Sequence, residues 1–147
     1  MFVSQAQGSS PIVTAYDRHT FNIQPVKPST IAKSLAIGNP ADGYYALRTI
    51  KDSEGGAAAV TDDEVVEGIK LLAQTEGIYA ETAGGVTVGC LKKLVERGDL
   101  DRDALTVAFI TGAGYKTQEA IANSLTKPLH IKPTIASFHE AMEAASS

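Results

Sequence analysis

The sequence predicts an α/β fold: a three-layer open, largely parallel sheet flanked by helices. Three observations lead to this class. Segments with helical periodicity alternate with short apolar runs. Glycine-rich turns follow several of these runs. Hydrophobic residues make up 44% and charged residues 20% of the 147 positions, as in soluble globular proteins, and this length suits one domain with a buried core.

The composition argues against several classes of protein. A net charge of −4 gives no electrostatic attraction to nucleic acid or to anionic lipid, so neither is expected as a partner. No apolar stretch approaches the roughly 18 residues of a membrane span. The single cysteine, Cys90, excludes an intrachain disulfide and a cysteine-based zinc site. No secretory signal is visible, so a cytoplasmic location is expected.

The amino-terminal part predicts one strand end and three helices. Residues 1–3 are typical of the end of a strand, and a start at this point indicates a piece of a longer protein. Ser10 and the proline after it are expected to begin a helix. Proline is tolerated at the first helical position because the N–H that it lacks would have no partner within the helix. A second helix is expected from Ser29 to the helix breaker at residues 37–40, and Asp42 caps a third.

The middle of the chain predicts a short strand at residues 57–60 and a capped helix. Thr61 and Glu64 fit the capping box, in which each side chain accepts a hydrogen bond from the other residue's backbone N–H. Gly77 ends this helix. The apolar residues at helical spacing within it are Val65, Ile69 and Leu72.

The carboxyl-terminal half predicts further strands and helices. Residues 78–80 form a short strand, and residues 86–97 form an apolar helix. Residues 105–110 are the clearest strand, because six mostly apolar or β-branched residues suit burial on both faces. A helix through Ile121 is expected next, then a last helix from Pro133 that frays at residues 144–147.

The strongest candidate ligand site is the turn formed by residues 111–114, Thr-Gly-Ala-Gly. Ligands of open α/β sheets bind at the carboxyl ends of strands, and glycines let backbone amides approach an anion or a flat ring. The turn is not a P-loop, since Tyr115 separates Gly114 from Lys116. It is not a dinucleotide fingerprint, since Thr117 stands at the third glycine position. A turn without a ligand is an equally good interpretation.

Other candidate sites have simpler structural explanations. Glu81 with the small residues 82–85 is typical of a tight strand–helix junction. Residues 37–40 are a helix stop. Cys90 is expected to be buried and unreactive. No metal is predicted, because the three histidines lack metal-ligand spacing: His19, His130 and His139.

Taken together, six ordered segments resemble the carboxyl-terminal part of threonine synthase, a pyridoxal-phosphate enzyme of the tryptophan-synthase β-subunit fold, fold type II. The resemblance runs from residue 3 to about residue 116 and is weaker beyond. Its segments are residues 5–11, 25–32 and 37–40, the helix from Thr61, and residues 76–85 and 110–116.

The resemblance implies a role for several residues in a cofactor pocket. The Thr111 hydroxyl would hydrogen-bond the pyridine nitrogen, and nearby glycines would let the ring lie against the backbone. The backbone around Gly38 would line one face of the ring. The implied pocket residues are Thr111, Gly112, Gly114, Ile37, Gly38, Asn39 and Glu81. Two departures stand out: Glu-Thr-Ala-Gly at residues 81–84 replaces a common Glu-Pro-Ala-Ser, and Gly-Ala-Gly at residues 112–114 replaces Gly-His-Gly.

The resemblance also implies what residues 1–147, a single partial unit, would do. The complete enzyme would use pyridoxal 5'-phosphate to convert O-phosphohomoserine and water into threonine and phosphate. The lysine that binds the cofactor covalently has no counterpart here, and neither do the groups that hold the two phosphates. The chain is therefore expected to be inactive alone, with no catalytic residue and no covalently bound cofactor. Its partner would be the missing amino-terminal portion or a second copy. The alternative is a stand-alone, non-catalytic binding or oligomerising module.

Overall fold

The computed structural model describes residues 1–145, which contain two strands and five α-helices. Short 3₁₀ turns follow the first strand, precede the second helix and fill residues 114–124. None of the helices in residues 1–145 has the length and apolar character needed to cross a bilayer. The elements are β1 Phe2–Ala6, α1 Pro11–Asp17, α2 Gly43–Asp52, β2 Gly56–Val60, α3 Asp62–Glu76, α4 Thr82–Arg97 and α5 Ile135–Ala145.

The two strands form a parallel pair, with Phe2 opposite Gly56 and Ala6 opposite Val60. Parallel neighbours require a crossover connection, and α1 and α2 lie in that connection. The predicted strand at residues 57–60 is confirmed, and the strand predicted to end near residue 3 extends to Ala6.

Side chains of the sheet alternate between two helical layers. Ala57 packs on one face with residues of α1 and α2, whereas Ala58 and Val60 pack on the other face with residues of α3 and α4. This alternation is the two-residue period of a β-strand, and both faces are covered as in a parallel sheet. The predicted three-layer α/β class is confirmed on a small, two-stranded sheet.

The capping box at the start of α3 is confirmed. The Thr61 backbone N–H donates to Glu64 Oε2 at 2.7 Å, and the Glu64 N–H donates to Thr61 Oγ1 at 3.2 Å. Lys93 of α4 donates to Glu64 Oε2 at 2.8 Å and to the Ala59 carbonyl at 2.9 Å. Burial raises the pKa of the Glu64 carboxyl, but the bonds from Lys93 and Thr61 outweigh burial and hold that pKa below its ordinary value.

Helices α3 and α4 pack closely because small residues face each other. A methyl group at Gly68 would overlap the Gly85 carbonyl oxygen. The buried Cys90 lies under the sheet on α4, and its thiol donates to the Ala58 carbonyl at 3.2 Å. Burial raises the pKa of this thiol. The predicted burial of Cys90 is therefore confirmed.

The strand predicted at residues 105–110 is not formed. This segment has no ladder partner, and Leu105, Val107 and Phe109 are 97%, 73% and 73% exposed. The prediction was wrong because β structure requires the backbone groups of a neighbouring strand, and residues 1–145 provide none at this place. The predicted strand at residues 78–80 is reduced to a single antiparallel bridge between Ala80 and Ala113.

Two predicted helices are replaced by 3₁₀ turns. The helix expected from Ser29 is only the turn Lys33–Leu35, because the preceding backbone is held by an aspartate of α3 instead of by helical hydrogen bonds. The helix expected through Ile121 is interrupted at Thr117, whose φ of −141° lies outside the helical region. The last helix is confirmed as Ile135–Ala145; residues 146–147 of its predicted frayed end lie outside the described residues.

Candidate functional site

The turn at residues 111–114 is hydrogen-bonded to the segment that leads into α4. The Glu81 N–H donates to the Gly112 carbonyl at 3.0 Å, and the Gly114 N–H donates to the Tyr79 carbonyl at 2.9 Å. These bonds flank the bridge between Ala80 and Ala113. The structure therefore brings together three predicted site residues that are about 30 positions apart in sequence: Glu81, Gly112 and Gly114.

Glu81 presents a buried carboxylate to this turn. The residue is 8% exposed and precedes the first residue of α4. A methyl group at Gly112 would overlap the Glu81 carboxyl group, so glycine is what lets the turn lie against it. Lys116 approaches from the solvent side, with its Nζ 3.9 Å from Glu81 Oε2. The site therefore contains a negative charge with one exposed cationic neighbour.

Thr111 lies at the exposed edge of the same turn. Its hydroxyl makes no hydrogen bond to any of residues 1–145, so it is free to donate to a bound ring nitrogen or another acceptor. The next threonine along the turn is engaged: Thr117 Oγ1 accepts the Thr82 N–H at 3.1 Å. The Thr82 hydroxyl is buried and has no partner among the described residues.

The predicted site residues at positions 37–39 border a separate cavity of about 480 Å³. Its lining includes Ile37 and Asn39, together with Gln5 of β1 and Ser9 of the turn that follows β1. Gly38, between Ile37 and Asn39 in sequence, is not part of the lining, and its carbonyl accepts the Val26 N–H at 2.9 Å. The Ser9 side chain is buried, and its hydroxyl lacks a partner in the part of the chain that the structure describes.

Asp62 fixes the backbone that leads to this cavity. Its Oδ1 accepts a 2.6 Å hydrogen bond from the buried Thr30 hydroxyl, and both of its carboxylate oxygens lie 3.2 Å from the Ile31 N–H. Because Asp62 is the first residue of α3, these bonds join the predicted ring-lining segment to the central helices. No local pattern predicts this contact, because its two residues are 32 positions apart.

The two groups of predicted site residues are joined through the core. Tyr79, beside the turn, and Leu35, beside the cavity, pack against the same buried cluster. The lining of the 480 Å³ cavity does not include Thr111 or Glu81. The structure thus brings the predicted residues together as two neighbouring groups.

Sequence reasoning missed Thr117, Asp62 and Ser9. Thr117 counted only as a departure from a glycine motif, Asp62 was only part of a capping sequence, and Ser9 was a loop residue. No local pattern marks these roles, because each depends on a contact or on burial that the tertiary structure creates. Among residues 1–145, no three His, Cys, Asp or Glu side chains are placed to hold a metal ion.

Comparison with known proteins places the chain in a family. The sequence profile of the family described as "Pyridoxal-phosphate dependent enzyme" matches residues 1–112, which include Glu81, Thr111 and Gly112. The chain belongs to the pyridoxal-phosphate dependent enzyme family. The predicted resemblance to threonine synthase is confirmed by sequence similarity to several threonine synthases.

Three threonine synthases illustrate the similarity. The protein of Methanocaldococcus jannaschii is 44% identical over 129 residues, which are 87% of this chain and 32% of the relative. That of Methanosarcina acetivorans is 37% identical over 139 residues, 94% of this chain and 34% of the relative. That of Halalkalibacterium halodurans is 33% identical over 109 residues, 74% of this chain and 30% of the relative. The chain spans about a third of the length of these curated relatives.

The residues present fit the cofactor that gives this family its name. The Thr111 hydroxyl is exposed and unengaged by residues 1–145, as a partner for a pyridine nitrogen must be. The adjacent Gly112 removes the side chain that would otherwise stand between the turn and Glu81. The Ser9 hydroxyl has no partner in the described residues, and it adds a polar group to the wall of the 480 Å³ cavity beside Ile37 and Asn39.

Proposed function

We propose that this chain forms the side of a pyridoxal-phosphate pocket that binds the pyridine nitrogen, in an enzyme resembling threonine synthase. The reaction would convert O-phosphohomoserine and water into threonine and phosphate. One observation carries the proposal. In a chain of this family, the turn at residues 111–114 is held against Glu81, while the Thr111 hydroxyl stays exposed and free of the described residues.

Pyridoxal phosphate, when bound, supplies the electron-withdrawing ring that stabilises negative charge on a substrate carbon. Thr111 Oγ1 would donate its proton in a hydrogen bond to the ring nitrogen and leave that nitrogen unprotonated, because a hydroxyl is too weak an acid to give the proton up. This moderates the withdrawing strength of the ring. The resemblance assigns Gly112 and Gly114 to the approach of the ring, but the Glu81 carboxyl and the Tyr79 ring occupy the space beside their α-carbons, so the ring would meet the turn on its Thr111 side. The backbone at residues 37–39 would line one face of the ring.

The pocket would need a second portion of polypeptide for catalysis. The resemblance assigns no residue of this chain to the covalent lysine, and Lys116 is exposed and paired with Glu81 at 3.9 Å. Proton transfer at the substrate carbons therefore lacks a base here. The proposal includes a partner, the amino-terminal portion of this family's fold, and inactivity of the chain by itself. The threefold greater length of the relatives supports this.

The test mixes the chain with the amino-terminal two thirds of the M. jannaschii threonine synthase, which precedes the segment similar to this chain. The measurements are the visible absorption of protein-bound pyridoxal phosphate and the release of threonine. We expect both in the mixture and neither with the chain alone. A mixture that associates but binds no cofactor and forms no threonine would refute the proposal.

The role of Thr111 is tested in the same mixture with Thr111→Val. A neutral hydrogen bond contributes about 0.5–1.5 kcal/mol, so cofactor affinity should fall roughly 2- to 12-fold. Thr126→Val is the matched control, because Thr126 is also exposed and lies outside the turn. Equal cofactor affinity in the two variants would exclude Thr111 from the pocket.

A stand-alone oligomerising module is the second candidate, favoured by the exposed apolar residues of residues 105–110. It predicts self-association of the chain without any partner. Sedimentation that shows a monomer at all concentrations would exclude this candidate.

A further inference from the structure

Residues 105–109 form the most exposed apolar segment of the described chain. Leu105, Val107 and Phe109 are 97%, 73% and 73% exposed. Within residues 1–145 no backbone N–H or carbonyl of this segment takes part in a backbone hydrogen bond. A run with both its side chains and its backbone groups unpaired is a template for pairing with another strand.

The end of the segment is fixed, in contrast to its body. Gly112 and Gly114 are bonded to the backbone before α4. The Ile110 side chain is half-buried and lies beside Gly84, where a methyl group would come within 3.3 Å of it. The segment therefore extends outward from an anchored turn, so a partner would meet it in a defined position.

We propose that residues 105–109 are a docking strand that pairs with the sheet of the amino-terminal portion of this family's fold, and that this pairing fixes Thr111 in place. The inference deepens the proposed function and rests on it for the identity of the partner. Large side chains at positions 105, 107 and 109 alternate with the smaller Thr106 and Ala108. An apolar strand of this kind suits a sheet that is covered on both faces.

Two observations favour this partner over a second copy of the chain. The family profile extends through residue 112, so the segment lies within the part of the chain that matches the family, and about two thirds of the relatives' length lies outside the similar region. That length can supply a neighbouring strand with helices behind it. A second copy that offered the same isolated segment would give only a two-stranded ribbon, which is marginally stable in water.

Pairing would act on the site through Thr111. On its carboxyl side Thr111 is followed by the hydrogen-bonded Gly112, whereas on its amino side only the packed side chain of Ile110 separates it from the unpaired segment. Ladder hydrogen bonds along residues 105–109 would restrain the backbone from that side too. Association with the partner and placement of the Thr111 hydroxyl are thus coupled events.

Amide hydrogen exchange tests the inference. The exchange of residues 105–109 is measured in the chain alone and after addition of the amino-terminal two thirds of the M. jannaschii enzyme. We expect fast exchange in the chain alone and roughly 100-fold slower exchange in the mixture, since ladder pairing protects amides. Val107→Pro, which removes an N–H, and Val107→Asp should abolish association. Leu129→Asp is the matched control, because Leu129 is half exposed outside the segment and should leave association unchanged.

Each result decides one question. Association without slower exchange at residues 105–109 would overturn the docking strand and leave the proposed function standing. Slower exchange in a mixture that forms no threonine would refute the proposed function and support the docking strand. If the amides of the chain alone exchange slowly, and their protection increases with the concentration of the chain, the segment pairs with a second copy and the proposal is overturned. Failure to associate at tens of micromolar would also overturn it.

Discussion

Replacement of Asp62 by alanine should destabilise the fold by removing the contact that holds the backbone before the cavity. The Asp62 carboxylate accepts the Thr30 hydroxyl at 2.6 Å and the Ile31 N–H at 3.2 Å. Thr30 is 5% exposed, so its hydroxyl would lose its partner in a place that water reaches poorly. The consequence is a buried donor left without its acceptor.

The expected magnitude follows from these contacts. A hydrogen bond to a charged group contributes about 1.5–3 kcal/mol, and we take the lower half of that range because Asp62 itself is only partly buried. A carboxylate in the first turn of a helix adds about 0.3–1 kcal/mol. Asp62→Ala should therefore lower the free energy of unfolding by about 2–3 kcal/mol.

The assay is chemical denaturation followed by circular dichroism, with Asp63→Ala as the matched control. Asp63 lies in the same first turn of α3 but is exposed, and none of the hydrogen bonds described for residues 1–145 involves its side chain. The two variants lose a similar helix-dipole contribution, so the difference between them isolates the bonds to Thr30 and Ile31. That difference should be about 1.5–2 kcal/mol.

A double-mutant cycle with Thr30→Val locates the effect. If the bond is the cause, the cost of Asp62→Ala should shrink by more than half when Thr30 is already valine. The reasoning is refuted if Asp62→Ala and Asp63→Ala agree within about 0.5 kcal/mol, or if the cycle shows no coupling.

Three further predictions concern the central helices. Gly68→Ala should lower the melting temperature, because overlap of the new methyl group with the Gly85 carbonyl costs about 1–3 kcal/mol, whereas the higher helix propensity of alanine contributes at most about 1 kcal/mol. An unchanged or higher melting temperature would contradict this prediction. Because the pKa of Glu64 is lowered by folding, the ionised carboxylate stabilises the fold above the unfolded pKa near 4.5, and this stabilisation is lost as the pH falls through the folded pKa. The denaturation midpoint of Glu64→Gln should therefore change less with acid pH than that of the wild type. An equal pH dependence of the two proteins would exclude the Lys93 contact as the cause of the lowered pKa. Cys90 should react with a thiol reagent only when the chain opens, so labelling should follow unfolding with denaturant, and rapid labelling of the native chain would contradict its burial.

Local chemistry made part of the fold predictable. The capping box at Thr61 and the apolar spacing behind it predicted α3, since both depend on residues three or four positions apart. Proline after Ser10 predicted α1 in the same way, although its first free N–H groups are capped by the Gln5 side chain, at 3.0 Å to both Ile12 and Val13. That last contact is not local, and it was not predicted.

Where the sequence-based predictions failed, the deciding factor was a contact with a distant part of the chain, or the lack of one within residues 1–145. Residues 105–110 have the composition of a strand, yet composition does not supply the neighbour that a strand needs. Thr30 begins no helix because Asp62, 32 positions away, takes its hydroxyl and the next N–H. In both cases a long-range contact, present or missing, outweighed local preference.

For the candidate site, too, some properties follow from the sequence and others only from the tertiary structure. The sequence by itself determined the residue types, the order of the motifs and the family, because these depend on which side chains follow one another. Only the tertiary structure decided that Glu81 lies against Gly112, that Thr117 rather than Thr111 is engaged, and that residues 37–39 border a separate cavity. The physical reason is that hydrogen-bond partners and burial are fixed by distances in space, which spacing along the chain does not contain.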